Sequence, residues 1–173
     1  MVGIGATMIK KLLERLFGSK KQEKPIAEVI QMITFEELQK VSDPIEGEYI
    51  DRTNIYLDKI NVFRNECGIP MIATSFYRSK DHQIEIYKKK AKNKQFPFTD
   101  GVFNLKKVPL KSKHLVCEAG DFADADKRIA YWVKEHIEWC EENGFYFEDF
   151  DSTPTWAHIQ ITPPRSGKTI FKP

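Results

Sequence analysis

The chain has 173 residues, 41% of them hydrophobic and 30% charged, with 27 Lys and Arg against 25 Asp and Glu. That length suits one domain with a short appendage; the composition is too apolar for disorder, and the charge too balanced for a dedicated nucleic-acid binder. No run of about 18 apolar residues exists to span a membrane, and the three scattered cysteines form neither a disulfide framework nor a CxxC metal knuckle.

Ile9, Leu12, Leu13, Leu16 and Phe17 fall on one helical face, which Gly18 and Ser19 end. Lys10, Lys11, Glu14 and Arg15 interrupt the apolar run that a secretory signal needs, so no signal peptide is expected. Residues 1–24 read as an amphipathic helix plus a charged linker, KKQEK. Its segment 8–18 suits contact with a partner chain or, through its basic polar face, with a membrane surface. Residues 25–173 read as the domain proper.

Thr34 and Glu37 form a capping-box pair before a short helix. Tyr56, Ile60, Phe63 and Cys67 mark an amphipathic helix from about Asp51, stopped by Gly68. Pro70 to Thr74 reads as a short buried strand, and Ser79 caps a charged helix running to Lys92. Phe96 to Lys113, with prolines and no clear period, reads as a long loop or irregular hairpin. Ile129, Trp132, Val133, His136, Ile137 and Cys140 make a further helical stripe, capped by Asp124 or Asp126 and ended at Asn143-Gly144. Phe145 to Glu148 and Trp156 to Ile161 read as two strands, and the tail ITPPRSGKTIFKP as loop. The order predicts an α+β fold: a small antiparallel sheet flanked by helices.

Of the four histidines, His136 lies on an apolar helical stripe and reads as core, and His82 as solvated. His114, Asp121 and His158 offer two imidazoles and a carboxylate, a three-ligand set that leaves a fourth tetrahedral position for water, as a catalytic zinc requires. Spacing alone makes this weak, because any chain with four histidines offers such a triple.

Three segments read together are more specific. Thr74-Ser75-Phe76-Tyr77-Arg78-Ser79 with Gln83 resembles the SGYRSxxxQ segment of the M15 peptidases. Ser112 to Asp121, SKHLVCEAGD, resembles their SxHxxGxAxD motif, and Trp156-Ala157-His158 their closing WxH strand. This is the family of D-Ala-D-Ala carboxypeptidases and phage endolysins, whose zinc-site fold is shared with hedgehog domains. The likeness runs from Ile69 to Ile161. It implies one zinc ion held by His114, Asp121 and His158, with Arg78 facing the scissile carbonyl. Ser112 would orient a ligand, and Tyr77 and Trp156 would pack around the site. The implied partner is the stem or bridge peptide of peptidoglycan, and the expectation of no signal peptide favours a phage-type lysin made in the cytoplasm and acting on the cell wall.

Two positions depart from that pattern. Cys117 stands at the family's usual glycine, as a change of backbone or a fourth, soft ligand. Thr155 stands three residues before His158, where many members carry the acidic general base, and a hydroxyl cannot take that proton. Glu148, ending the preceding strand, is the first substitute, with Asp151 and Asp149 in the turn as alternatives. If none serves, the chain is an inactive zinc-bearing binding module. Ser166-Gly167-Lys168-Thr169 echoes a phosphate-binding loop, but Thr162 stands where its first glycine belongs.

Overall fold

The computed structural model describes residues 31–172, so the expected helix within residues 1–24 lies outside the described residues. The capping box forms as expected: Thr34 accepts from the Glu37 amide, Glu37 accepts from the Thr34 amide, and α1 (Phe35–Lys40) follows. Helix α2 (Glu48–Cys67) begins three residues earlier than its apolar stripe suggests, because Gly47, at φ 57°, turns the chain into it. Glu48 and Asp51 in its first turn complement the positive helix end. Gly68 closes it in the left-handed conformation. Strand β1 (Ala73–Ser75) leads into α3 (Lys80–Lys92), which Ser79 caps through the His82 amide.

Two short 3-10 helices, Leu105–Lys107 and Lys113–Val116, precede β2 (Ala119–Ala123). The helical stripe that follows is two helices, α4 (Arg128–Glu135) and α5 (Ile137–Glu142), with the break at His136. His136 is therefore not a core residue. It is exposed, its ring stacked on Trp132 at 4.3 Å and its Nδ1 2.8 Å from the Trp132 carbonyl oxygen. Of the two cap candidates, Asp124 does the work: its carboxylate accepts from the Ile129 and Ala130 amides at 2.9 and 3.1 Å.

Strands β3 (Tyr146–Glu148), β4 (Trp156–Gln160) and β5 (Ile170–Phe171) complete a sheet of order β1-β2-β4-β3-β5. The sheet is mixed rather than wholly antiparallel, since β5 runs parallel to β3. The tail is thus only partly loop. It returns along the open edge of β3, where the Phe147 and Asp149 amides each find a carbonyl at 2.7 Å, from Thr169 and Phe171. A backbone edge with unpaired donors recruits whatever extended chain reaches it.

The two faces of the sheet differ sharply. Phe122, Ala157, Ile159 and Phe147 point to one side and are buried against Tyr56, Ile60 and Phe63 of α2. Phe63 lies among Trp132, Trp139, Phe145 and Phe147, with ring centroids 5.3–6.3 Å away. The Tyr56 hydroxyl donates to the Ile159 carbonyl at 3.0 Å, and a Cβ at Gly120 would lie 2.8 Å from that hydroxyl, so helix and sheet can close only over a glycine. The alternate residues, Asp121, His158 and Glu148, occupy the opposite face.

The Asp124 cap gives a direct test of this frame. Asp124→Ala leaves two buried N–H groups unpaired and should cost about 1–2 kcal/mol. Thermal denaturation should then show a midpoint lower by about 2–8 °C, with Asp124→Asn less affected. An unchanged midpoint would show that the cap contributes nothing.

Candidate metal centre

Strand pairing builds the centre. Asp121 of β2 lies directly opposite His158 of β4. On the other side of β4 the pairs Tyr146–Gln160 and Phe147–Ile159 carry the register on to Glu148 opposite His158. Opposed residues of paired strands project to the same side, so three chemically active side chains stand in one row. His114 enters from the 3-10 helix before β2, and Arg78 from the segment after β1. The two segments are joined by the Arg78 amide, which donates to the His114 carbonyl at 3.2 Å.

The Asp121 carboxylate is the hub. Its Oδ1 lies 2.8 Å from His158 Nδ1 and 3.3 Å from His114 Nε2, and its Oδ2 accepts from Arg78 Nη2 at 3.4 Å. His114 Nδ1 donates to the Phe76 carbonyl, which leaves the Nε2 lone pair facing the carboxylate. Two acceptors 3.3 Å apart need a proton or a cation between them. His158 Nε2 faces Gln160 Oε1 at 3.4 Å, and the Gln160 amide is turned that way because its Nε2 donates to the Thr162 carbonyl at 2.6 Å.

One ligand atom from each of His114, Asp121 and His158 lies within 4.8 Å of the other two, so the group could hold a metal ion. Its electrostatics suit a cation. Burial raises Asp121, but hydrogen bonds and charge from both histidines outweigh it and hold the carboxyl far below the usual range. Burial pushes His114 down, against the pull of Asp121, which keeps its imidazole neutral and able to donate a lone pair.

Cys117 is not a member of this group. It is fully buried in the hydrophobic core, and burial pushes its thiol up to about 11. Its backbone instead explains the position: φ is 55°, the left-handed turn that glycine adopts without strain.

The remaining candidates divide by place. Gln83, buried in α3, accepts from Arg78 Nη1 at 3.1 Å and so aims the guanidinium, while Arg78 Nε is buried with no partner among the described residues. Tyr77 packs on Tyr49 at 4.6 Å, and burial followed by its Tyr49 contact moves the phenol to about 12, so it is a wall and no base. Trp156 is half-buried two residues before His158 on the same strand face. Ser112 begins the 3-10 helix, and among the described residues its hydroxyl makes no cap hydrogen bond. The contact that orients His114 is the one from its Nδ1 to the Phe76 carbonyl.

Glu148 is drawn into the site and Asp151 is not. Burial raises the Glu148 carboxyl, with His158, Asp121, Lys90 and Arg78 as its charged neighbours. Asp151 is exposed in the following turn, where Asp149 accepts from its amide at 3.4 Å, and Thr155 is exposed with its carbonyl engaged by the Asp124 amide. Two contributors carried no signal in the expected motifs. Gln160 was legible as the residue two beyond His158 on one strand face. Phe171, whose ring meets His158 edge-on at 6.3 Å, was hidden in a tail that reads as loop.

The chain matches no protein-family model, no curated protein and no solved structure.

Protons and the cation compete for the same lone pairs, so divalent-ion affinity should fall as pH drops through the histidine range. Either His114→Ala or His158→Ala should leave less than one equivalent of metal after dialysis, measured by elemental analysis. Full retention in both variants would remove these residues from the ligand set.

Proposed function

We propose that the protein is a zinc peptidase of the M15 type that hydrolyses peptide bonds of bacterial peptidoglycan, as a carboxypeptidase or as an endopeptidase. One observation carries the reading: His114, Asp121 and His158 converge, and Arg78 and Glu148 stand against them. Two imidazoles and one carboxylate are a donor set that zinc accepts while keeping a position for water or substrate. The ion, when bound, would make a coordinated water acidic and polarise an amide carbonyl.

The side chains supply the rest. Glu148 is the acceptor for the proton of the attacking water, since its carboxylate stands beside His158 in the register. Burial, which raises its pKa, makes it a stronger base than a surface glutamate. Arg78 is held at Nη1 by Gln83 and at Nη2 by Asp121. A guanidinium fixed before the reaction stabilises negative charge growing on a carbonyl oxygen without having to reorganise. Tyr77 and Trp156 supply walls that exclude water.

Thr155 supports a second reading, an inactive zinc-bearing binding module, because no carboxylate occupies the position three before His158. Turnover separates the two. Mass spectrometry of purified peptidoglycan after incubation with zinc-loaded protein should show newly cleaved stem or bridge peptides. Glu148→Gln should lower the rate about 10²–10⁴-fold with zinc content unchanged, and Asp151→Asn less than about tenfold. The base works deprotonated, so the rate should rise with pH through a pKa above the ordinary glutamate value. No cleavage of any peptidoglycan type would favour the binding module, and Thr155→Glu would then show whether only the base is missing.

A further inference from the structure

Charge is unevenly distributed along the chain. Residues 88–113 hold nine lysines and one aspartate, a net charge of +8, in a protein whose total is +2. The remaining residues are therefore net acidic, and near-neutrality conceals a strongly basic segment.

The fold gathers that segment into one feature. Ala91 at the end of α3 packs with Phe98 and Val108 in a small hydrophobic cluster separate from the main core, with Ile84, Tyr87 and Leu110 against it. The loop is thus a lobe with its own core. Its outer surface carries Lys89, Lys92, Lys94, Lys106, Lys107 and Lys111, all of them exposed.

The lobe also exposes large apolar side chains. Phe96 is 81% exposed, Val102 64% and Leu105 50%, beside a cluster that buries Phe98 completely. Lysines flank them. Lys107 Nζ donates to the carbonyl of Pro97, the residue after Phe96, at 3.1 Å. The Lys94 stem lies beside Gly101, the residue before Val102. Leu105 shares one 3-10 turn with Lys106 and Lys107. A largely exposed phenylalanine on a lysine-rich lobe matches the boundary of a bilayer, where acyl chains take the ring and anionic headgroups take the lysines. A soluble polyanion would use the lysines and have no use for Phe96, Val102 and Leu105. The lysines are also mobile point charges rather than the planar forks that read nucleic-acid bases.

We propose that the lobe formed by residues 88–113 docks the protein on an anionic phospholipid surface. Its lysines meet the headgroups, and Phe96, Val102 and Leu105 enter the interface. The lobe adjoins the metal centre: α3 carries Gln83, which holds Arg78, and the loop ends in the 3-10 helix that bears His114. Docking therefore sets the centre beside the bilayer.

The full chain should be titrated with vesicles of phosphatidylglycerol and phosphatidylcholine, and with vesicles of phosphatidylcholine alone, scored by co-sedimentation. Binding should require the anionic lipid and weaken with salt. Lys92→Gln, Lys106→Gln and Lys111→Gln together should weaken it roughly 100-fold. Phe96→Ser, which keeps the charge, should weaken it about tenfold. Circular dichroism and metal content should stay unchanged in both variants, since these side chains are exposed. Three outcomes overturn the proposal: no preference for anionic vesicles at low salt; anionic binding that survives the triple substitution, which places it elsewhere in the chain; or loss in the triple variant with Phe96→Ser unchanged and equal binding to soluble polyphosphate, which makes the lobe a polyanion site.

Discussion

The two-residue period of β2 and β4 is the constraint on which the rest of the molecule depends. A strand cannot send neighbouring residues to the same side. Phe122 and Ile159 therefore face α2, while Asp121 and His158, one step away on each strand, face outward as a directly opposed pair. A one-residue slip of either strand would bury the carboxylate in the aromatic core and expose the phenylalanine. The Tyr56–Gly120 contact resists such a slip. Only a residue without a side chain allows the Tyr56 hydroxyl its place beside β2, and that hydroxyl then reaches the Ile159 carbonyl. The register that makes the core is the register that makes the centre.

The centre is also tied together from outside. Glu118 accepts from Lys113 and from the Thr162 hydroxyl, each at 2.8 Å, and its carbonyl accepts from the Ile161 amide. Lys113 precedes His114, and Thr162 holds Gln160, which faces His158. Both histidines thus sit on segments fastened to one glutamate. Exposed ion pairs contribute little to stability, but this one is partly buried and shared, so its effect is to hold geometry. Asp121 stays ionised against its burial because two imidazoles and a guanidinium surround it.

The lobe of residues 88–113 has a different architecture. Its cluster of Ala91, Phe98 and Val108 stands apart from the main core and, with the loop's own hydrogen bonds, fixes the loop. Lys107 lies over the Phe98 ring at 5.7 Å and Lys90 over Tyr87 at 4.6 Å, so ammonium groups close over the lobe's aromatic residues. Phe96 is left outside that arrangement. Segregating charge in one lobe lets a chain of nearly balanced composition keep a strongly basic surface.

What the sequence determined by itself was whatever short-range chemistry specifies. The α+β class, the Thr34–Glu37 capping box, the stripe Tyr56–Ile60–Phe63 and the stop at Gly68 all follow from local spacing, and each stands in the structure. The His114, Asp121 and His158 group was legible because motif spacing carried it, and the place of Glu148 on the same sheet face followed from its strand end. Tertiary structure decided the rest, because the deciding contacts join residues far apart in the chain. His136 sits on an apolar stripe, but the helix breaks there and turns it to solvent. The tail reads as loop because two residues have no period, and only the open edge of β3 makes them a strand. The partner of His114 is a backbone carbonyl, which every residue possesses and no sequence can single out. At Cys117 the chemistry of the residue left a change of backbone and a soft ligand both open, and its position is set by a left-handed φ and its thiol by the core. Side-chain type is written in the sequence; the direction in which a side chain points is settled by what packs against it.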